Sequence, residues 1–255
     1  MRIVDVYLYL CGRYKGRNGK WIDGTKPVVK RELCACFYVD RMLSGKFKNK
    51  GFRFFLYHIK FNKMDRSLKG TLTEQNLLKA FAGESQAKNR YTFFAEVARK
   101  EGYEQIAGIF YETALQEETH AKRFFSYLEG GMVEITAAYP AGAILQTELN
   151  LQEAAEGEYD EWHNLYPAFG EIAAGEGFKA VASLFRHVTE VEQMHENRYL
   201  KLLDNLRTGL VFARPEEVRW YCRKCGYVHV GKTPPKVCPS CLQPQGFFEL
   251  FPDNY

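Results

Sequence analysis

Two tetrapeptides, Glu117-Glu118-Thr119-His120 and Glu192-Gln193-Met194-His195, constrain what this chain can fold into more than anything else in it. Each sets a carboxylate and an imidazole one helical turn apart, inside a run whose apolar residues recur every three or four positions. Around the first pair the seam reads Ile106, Phe110, Ala114, Glu117, Ala121, Phe124, Leu128. Around the second it reads Val181, Phe185, Val188, Glu192, His195, Tyr199, Leu202, Leu206. Two further seams carry the same interruption: Leu77, Phe81, Glu84, Ala87, Tyr91, Phe94, Ala98, and Leu151, Ala154, Glu158, Glu161, Leu165, Ala168, Ile172. A core-facing stripe should be apolar throughout. Here acidic residues stand in the middle of all four.

The local signals place these seams on four helices. The first is expected to begin at a capping box of Thr71 and Glu74 and to run to about Lys100, before Gly102. The second spans about Glu104 to Glu129 and stops at Gly130-Gly131. After a longer connection containing Pro140, the third covers about Thr147 to Ala174, with a bend or break at Pro167. The fourth runs from about Gly177 to Leu206. There is also an internal repeat. Glu84 precedes the first Glu-x-x-His pair by 33 residues, and Glu158 precedes the second by 34.

Folding such helices together gathers Glu84, Glu117, Glu158, Glu161 and Glu192 in one interior. Two carboxylates about 5 Å apart repel by roughly 3 kcal/mol at an effective dielectric near 20. Burial adds a desolvation cost, so cations must lie between them. One Glu from each of two helices and a Glu-x-x-His from each of the other two is the arrangement that holds a pair of iron or manganese ions in a bundle core. Glu161, one turn after Glu158, adds a fifth carboxylate. A lone Glu-x-x-His is usually a solvated pair. Two of them in phase with apolar seams, matched by Glu84 and Glu158 at repeat spacing, are not. His58, His163, His187 and His229 have no such support and read as ordinary residues.

The C-terminal region holds a second motif, Cys222-x-x-Cys225, twelve residues, then Cys238-x-x-Cys241. Four thiolates on two short turns make a tetrahedral cage that selects zinc or a single iron. The flanking aromatics would give either module a core and do not separate the two. A dinuclear redox site in the same chain needs electrons, which zinc cannot carry.

From about Met64 onward the sequence resembles rubrerythrin, on LLKAFAGESQAKNRYTFFAEVARKEGY, ETALQEETHAKRFFSYLEGG, AAEGEYDEWHNLYPAF, VEQMHENRYL and the CRKCGYVH…CPSC module. The resemblance implies a mainly α fold: a ferritin-like four-helix bundle with a small C-terminal rubredoxin-like domain. It implies a non-haem di-iron site on Glu84, Glu117, His120, Glu158, Glu161, Glu192 and His195, and one iron on Cys222, Cys225, Cys238 and Cys241. In that family one iron exchanges the residue matching Glu161 for that matching His120 on reduction. Tyr91 and Tyr166 match tyrosines that hydrogen-bond ligand carboxylates, although aromatic core filling would also explain them. The implied activity is reduction of hydrogen peroxide to water, protecting against oxidative stress. Electrons would come from a carrier such as rubredoxin or an NAD(P)H-dependent rubredoxin reductase and pass through the four-cysteine iron, crossing between subunits of a homodimer or higher homo-oligomer. The alternatives are an iron-storage protein with a structural zinc module, or a ferroxidase.

The domains expected are a basic extension over 1–63, the bundle over 64–206, a linker over 207–216 closing near Pro215, and the four-cysteine domain over 217–255. Residues 1–63 carry 15 Lys/Arg against 4 Asp/Glu, whereas 64–255 carry 20 against 27. That asymmetry, and Met64 directly before the family-like sequence, sets the extension apart, and the native start is expected at Met64. Cys11, Cys34 and Cys36 form no recognisable metal box, and no nucleic-acid motif accompanies the basic charge, so nucleic-acid binding is not expected. With no apolar run near 20 residues and no secretory signal, neither a membrane span nor export is expected, and the location read is cytoplasmic.

Overall fold

The computed structural model describes residues 66–254 and, further upstream, the strands β1 (Arg13–Lys15) and β2 (Trp21–Asp23). Those two strands pair antiparallel, with Tyr14 opposite Ile22. His58 and the cysteines at 11, 34 and 36 lie outside the described residues. Among the described residues no helix is long and apolar enough to cross a membrane.

The bundle comprises α1 (Leu72–Lys100), α2 (Glu104–Phe125), α3 (Thr147–Asp160), α4 (Tyr166–Gly175) and α5 (Lys179–Arg207). A π-helical turn, Glu161–Leu165, joins α3 to α4, so the third expected helix is continuous but re-phased. α1 pairs with α2, and α3 with α4 pairs with α5. At the start of α1 the Thr71 side chain accepts the Glu74 N–H, and Glu74 returns a carboxylate oxygen to the Gly70 N–H at 2.8 Å. The capping box therefore closes one residue upstream of its usual donor. The second expected helix ends earlier than Glu129. After Phe125 the backbone tightens into short-range bonds (Tyr127 N–H to Phe124 O, Leu128 N–H to Phe125 O), and the Glu129 carboxylate leaves to accept from Leu68 N–H and Ser67 Oγ.

The π turn corrects a second expectation. Leu165, Ala168 and Ile172 do not continue the buried seam: Leu165 and Ala168 are exposed, while Tyr166 and Ala173 are buried. A π turn adds one residue to the winding, which rotates everything after it by one position. Pro167, which has no N–H to donate, sits at the start of α4 where the loss is smallest.

The apolar core is cut into two clusters. One contains Tyr91, Phe94, Phe110, Leu151 and Tyr199; the other contains Leu77, Phe124, Tyr166, Val181 and Phe185. Between them, at the same level on α1, α2, α3 and α5, lie Glu84, Glu117, Glu158, Glu192 and His195, none more than 1% exposed. The interruptions in the four seams thus form one polar layer across the middle of the bundle.

The C-terminal domain is a three-stranded antiparallel sheet, β3 (Val218–Cys222) flanked by β4 (Val228–Gly231) and β5 (Phe248–Leu250), over a small core of Trp220, Cys222, Cys238 and Phe248. It packs on the N-terminal end of α2. Gly246 lies so close to Gly102 that a β-carbon there would overlap the Gly102 carbonyl, and Arg223 fills the space over Gly108.

Candidate metal centres

The polar layer contains two overlapping groups of four ligand atoms. Glu84, Glu117, His120 and Glu192 form one; Glu117, Glu158, Glu192 and His195 form the other. In the first, His120 Nδ1 is 3.1 Å from Glu117 Oε2, 3.0 Å from Glu192 Oε1 and 3.9 Å from Glu84 Oε1. In the second, His195 Nδ1 is 3.1 Å from Glu117 Oε1, 2.8 Å from Glu192 Oε2 and 3.8 Å from Glu158 Oε2. Glu117 and Glu192 therefore present one oxygen to each group, the posture of bridging carboxylates. Glu84 and Glu158 serve one group each. The internal repeat is realised as a twofold arrangement of ligands.

The terminal carboxylates are oriented by tyrosines. Tyr166 donates to Glu84 Oε1 and Tyr91 donates to Glu158 Oε1, each at 2.6 Å. In both residues the other oxygen, Oε2, has no hydrogen-bond partner although it is buried, and the same holds for both oxygens of Glu192, Glu117 Oε1 and His195 Nδ1. Apart from Glu84 Oε2, these atoms approach within ion-pair distance without hydrogen-bond alignment, as ligand atoms do when they converge on a point between them. Bonds of about 2.1 Å to a common ion give ligand–ligand edges of roughly 3.0–3.4 Å, close to the distances from the two imidazoles to Glu117 and Glu192, whereas Glu84 and Glu158 stand farther off at 3.9 and 3.8 Å. The residues fit a pair of divalent cations, whose charge four carboxylates neutralise.

The far side of His195 is also built. His195 Nε2 lies 2.9 Å from Gln116 Oε1, which also accepts from Arg198 at 3.3 Å; Arg198 in turn bonds Thr113 and the exposed Glu112. An acceptor at Nε2 keeps the proton there and leaves Nδ1 free to bind metal. Sequence reasoning missed Gln116 and Arg198. Their one signal was position, Gln116 adjoining a seam glutamate and Arg198 one turn past His195.

Glu161 stands apart. Its carboxylate belongs to neither group and lies beside Gly83 of α1, with Oε1 3.9 Å from where a β-carbon on that glycine would be. The count of five gathered carboxylates thus becomes four in the two groups and one nearby. Exposed His163 and His187 and half-buried His229 take no part.

In metal-free protein, protons would take up the charge. Burial, reinforced by the Glu117 charge, pushes Glu158 up to about 8, and burial with the charges on Glu117, Glu192 and Glu161 holds Glu84 well above the carboxylate range. Glu117 is the exception: against burial, the adjoining imidazoles of His120 and His195 bring it down to about 2. Again against burial, the carboxylates of Glu117 and Glu192 raise His120 to about 10, and those of Glu117, Glu158 and Glu192 raise His195 to about 12. At pH 7 the metal-free site accordingly holds protons on both imidazoles, and burial favours the protonated form of Glu158 and Glu84. Protons held there must leave when two divalent ions bind. Loading metal-free protein with ferrous iron in weak buffer is expected to release protons as the ions bind, with affinity rising about tenfold per released proton for each unit of pH. A pH-stat reads this directly, and loading that releases no acid would contradict it.

In the C-terminal domain the Cys222 and Cys241 sulfurs are 3.7 Å apart, as are those of Cys225 and Cys238. A disulfide needs about 2.05 Å. A tetrahedral ion with metal–sulfur bonds of about 2.3 Å has edges of about 3.8 Å. Two matching turns set this geometry. Gly226 N–H bonds Cys222 O, and Leu242 N–H bonds Cys238 O, each at 2.9 Å. The left-handed φ this requires is +80° at Gly226 and +61° at Leu242. The Tyr227 N–H donates to Cys225 sulfur and helps bring that thiol down to about 6, near the thiolate form a metal takes.

Comparison with known proteins agrees with this geometry. A family model described as Rubrerythrin matches residues 75–203, and one described as Rubrerythrin, rubredoxin-like domain, matches 220–249. A rubrerythrin of Porphyromonas gingivalis is 60% identical over 193 residues, 76% of this chain and 96% of that protein. The chain belongs to the rubrerythrin family. Rubrerythrin-1 of Clostridium acetobutylicum is 53% identical over 74% of this chain and all of its own length. A solved structure of nigerythrin in its fully reduced, all-ferrous state is 32% identical, covering 80% of this chain and 98% of that one at a TM-score of 0.49. The ferritin-like bundle thus carries the residues of a di-iron carboxylate site, and the C-terminal domain is a rubredoxin-like four-cysteine site. Membership is consistent with a di-iron protein of oxidative-stress defence and suggests an oxidoreductase. Residues 1–63 lie outside both family matches.

Proposed function

We propose that this rubrerythrin-family protein is a peroxidase that reduces hydrogen peroxide to two waters, taking up two electrons and two protons. The observation that carries this reading is the pairing, in one chain, of two ligand groups sharing Glu117 and Glu192 with a four-thiolate site. Two ferrous ions held there would supply the electron pair that breaks the O–O bond.

The chain's own residues do the remaining work. Tyr91 and Tyr166 fix one oxygen each of Glu158 and Glu84; in Glu158 this leaves Oε2 facing His195 and the ligand group. Gln116 holds the His195 tautomer. His120 Nδ1 occupies its group while Glu161 stands outside, which supports the exchange of these two residues on reduction. The apolar clusters on both sides of the layer exclude water from it.

Cys222, Cys225, Cys238 and Cys241 would hold the iron that returns electrons one at a time, from a rubredoxin or an NAD(P)H-dependent rubredoxin reductase. Transfer between subunits of a homodimer, in the cytoplasm, completes the reading. The test is NADH oxidation coupled through a rubredoxin reductase and rubredoxin to the iron-loaded protein. Oxidation should follow added peroxide one to one. Oxidation of the diferrous protein faster by dioxygen than by peroxide would favour the ferroxidase reading, and a colourless zinc-filled cysteine site would favour storage.

A further inference from the structure

The connection between α2 and α3 carries a feature that neither metal centre uses. Residues 130–145 have no regular secondary structure and one charged residue, Glu134, yet they follow a defined path over the bundle. At its start Glu129 accepts from Ser67 and Leu68. At its end the Asn150 side chain brackets Leu145, accepting its N–H at 2.9 Å and donating to its carbonyl at 2.6 Å. Between these anchors Gly142 passes so close to Glu153 of α3 that a β-carbon would overlap the carboxylate. The strap thus runs from the segment before α1 to α3, past the elements that carry Glu84 (α1), Glu158 (α3) and Glu161 (the π turn).

Tyr139 is its inward contact. Its hydroxyl donates to the Lys79 carbonyl of α1 at 2.8 Å. Its ring edge, Cε1, lies 3.6 Å from where a β-carbon on Gly83 would be, and Glu161 Oε1 lies 3.9 Å from that same point. The missing side chain of buried Gly83, next to ligand Glu84, leaves a notch in α1 that the ring and the carboxylate share. No hydrogen bond joins Tyr139 to Glu161, so the ring acts by occupying space.

We propose that Tyr139 is a positioning residue for Glu161: its ring, pinned to α1 through Lys79, walls the Gly83 notch and fixes the seat that this carboxylate takes when it is off the metal. The inference rests on the di-iron reading above. With the ring in place Glu161 has one defined resting seat beside the site. Without it, the carboxylate has room to turn, and its position ceases to be coupled to the state of the site.

The test uses the full chain carrying Tyr139→Ala and Tyr139→Phe, loaded anaerobically with two ferrous ions, with Tyr139→Leu as a further variant that keeps the strap packed. Near-infrared magnetic circular dichroism reads the ferrous coordination, and stopped flow reads oxidation by peroxide. Tyr139→Ala should show a mixture of ferrous coordination patterns and a peroxide rate constant lower by on the order of tenfold. Tyr139→Phe keeps the ring but loses the bond to Lys79, and should show the same mixture in smaller proportion than Tyr139→Ala. A Tyr139→Ala spectrum superimposable on the parent overturns the proposal, whatever its rate, because a strap that only gated access would alter the rate alone. If the parent itself proves indifferent to peroxide, the peroxidase reading fails, while the spectral comparison still decides the role of Tyr139.

Discussion

Replacing Glu117 by alanine is expected to empty both metal positions of the bundle in one step. Glu117 gives Oε2 to the His120 group and Oε1 to the His195 group, so its loss removes a charged ligand from each. Losing even a residue that orients a ligand costs metal affinity 10- to 100-fold, and losing the ligand itself should cost each ion at least about 100-fold. Glu84→Ala differs, because Glu84 belongs to one group only. Anaerobic loading followed by desalting and metal analysis should therefore find two bundle ions in the parent, one in Glu84→Ala and none in Glu117→Ala. The four-cysteine site should stay filled in all three. The helices are held by apolar clusters on either side of the layer, so Glu117→Ala should keep its helical content. Equal ion loss from Glu84→Ala and Glu117→Ala would mean that Glu117 does not bridge.

Glu117 was legible before any coordinates because a carboxylate in an apolar seam has few physical explanations, and four of them at repeat spacing have fewer. Thr71 and Gly130 were legible for a local reason, since caps and stops depend on neighbours in sequence. The π turn was present in the numbers without being read. The second repeat is one residue longer than the first, 34 against 33, and Glu158 precedes Tyr166 by eight residues where Glu84 precedes Tyr91 by seven. That one extra residue is wound into Glu161–Leu165, which lets Tyr166 reach Glu84 as Tyr91 reaches Glu158. A fixed 3.6-residue period cannot represent it, so the expected seam drifted onto Leu165 and Ala168. Gln116 and Tyr139 escaped for a different reason. Each acts across the fold, Gln116 on His195 and Tyr139 on α1, through contacts between residues about 60 to 80 apart. Nothing in the local pattern marks such a partner.

Cys225→Ser is expected to separate the two metal centres functionally. The bundle site and the cysteine site share no ligand, and the module is held to the bundle by close backbone approach at Gly246 and Gly102, which the substitution leaves alone. Two ions should still load into the bundle, and a single turnover of pre-reduced protein with peroxide should run at nearly the parent rate. Steady-state turnover should fall by on the order of 100-fold or more, since a serine hydroxyl neither ionises near neutral pH nor provides the soft donor that a four-thiolate iron requires. Cys225 is the ligand to choose because it is the exposed one, outside the small core formed by Trp220, Cys222, Cys238 and Phe248, so its loss does not empty that core. The visible thiolate-to-iron absorption of the parent should weaken or shift in parallel. Full steady-state turnover in the variant would show that electrons reach the bundle without the cysteine site, and the pairing of the two centres would then need another explanation.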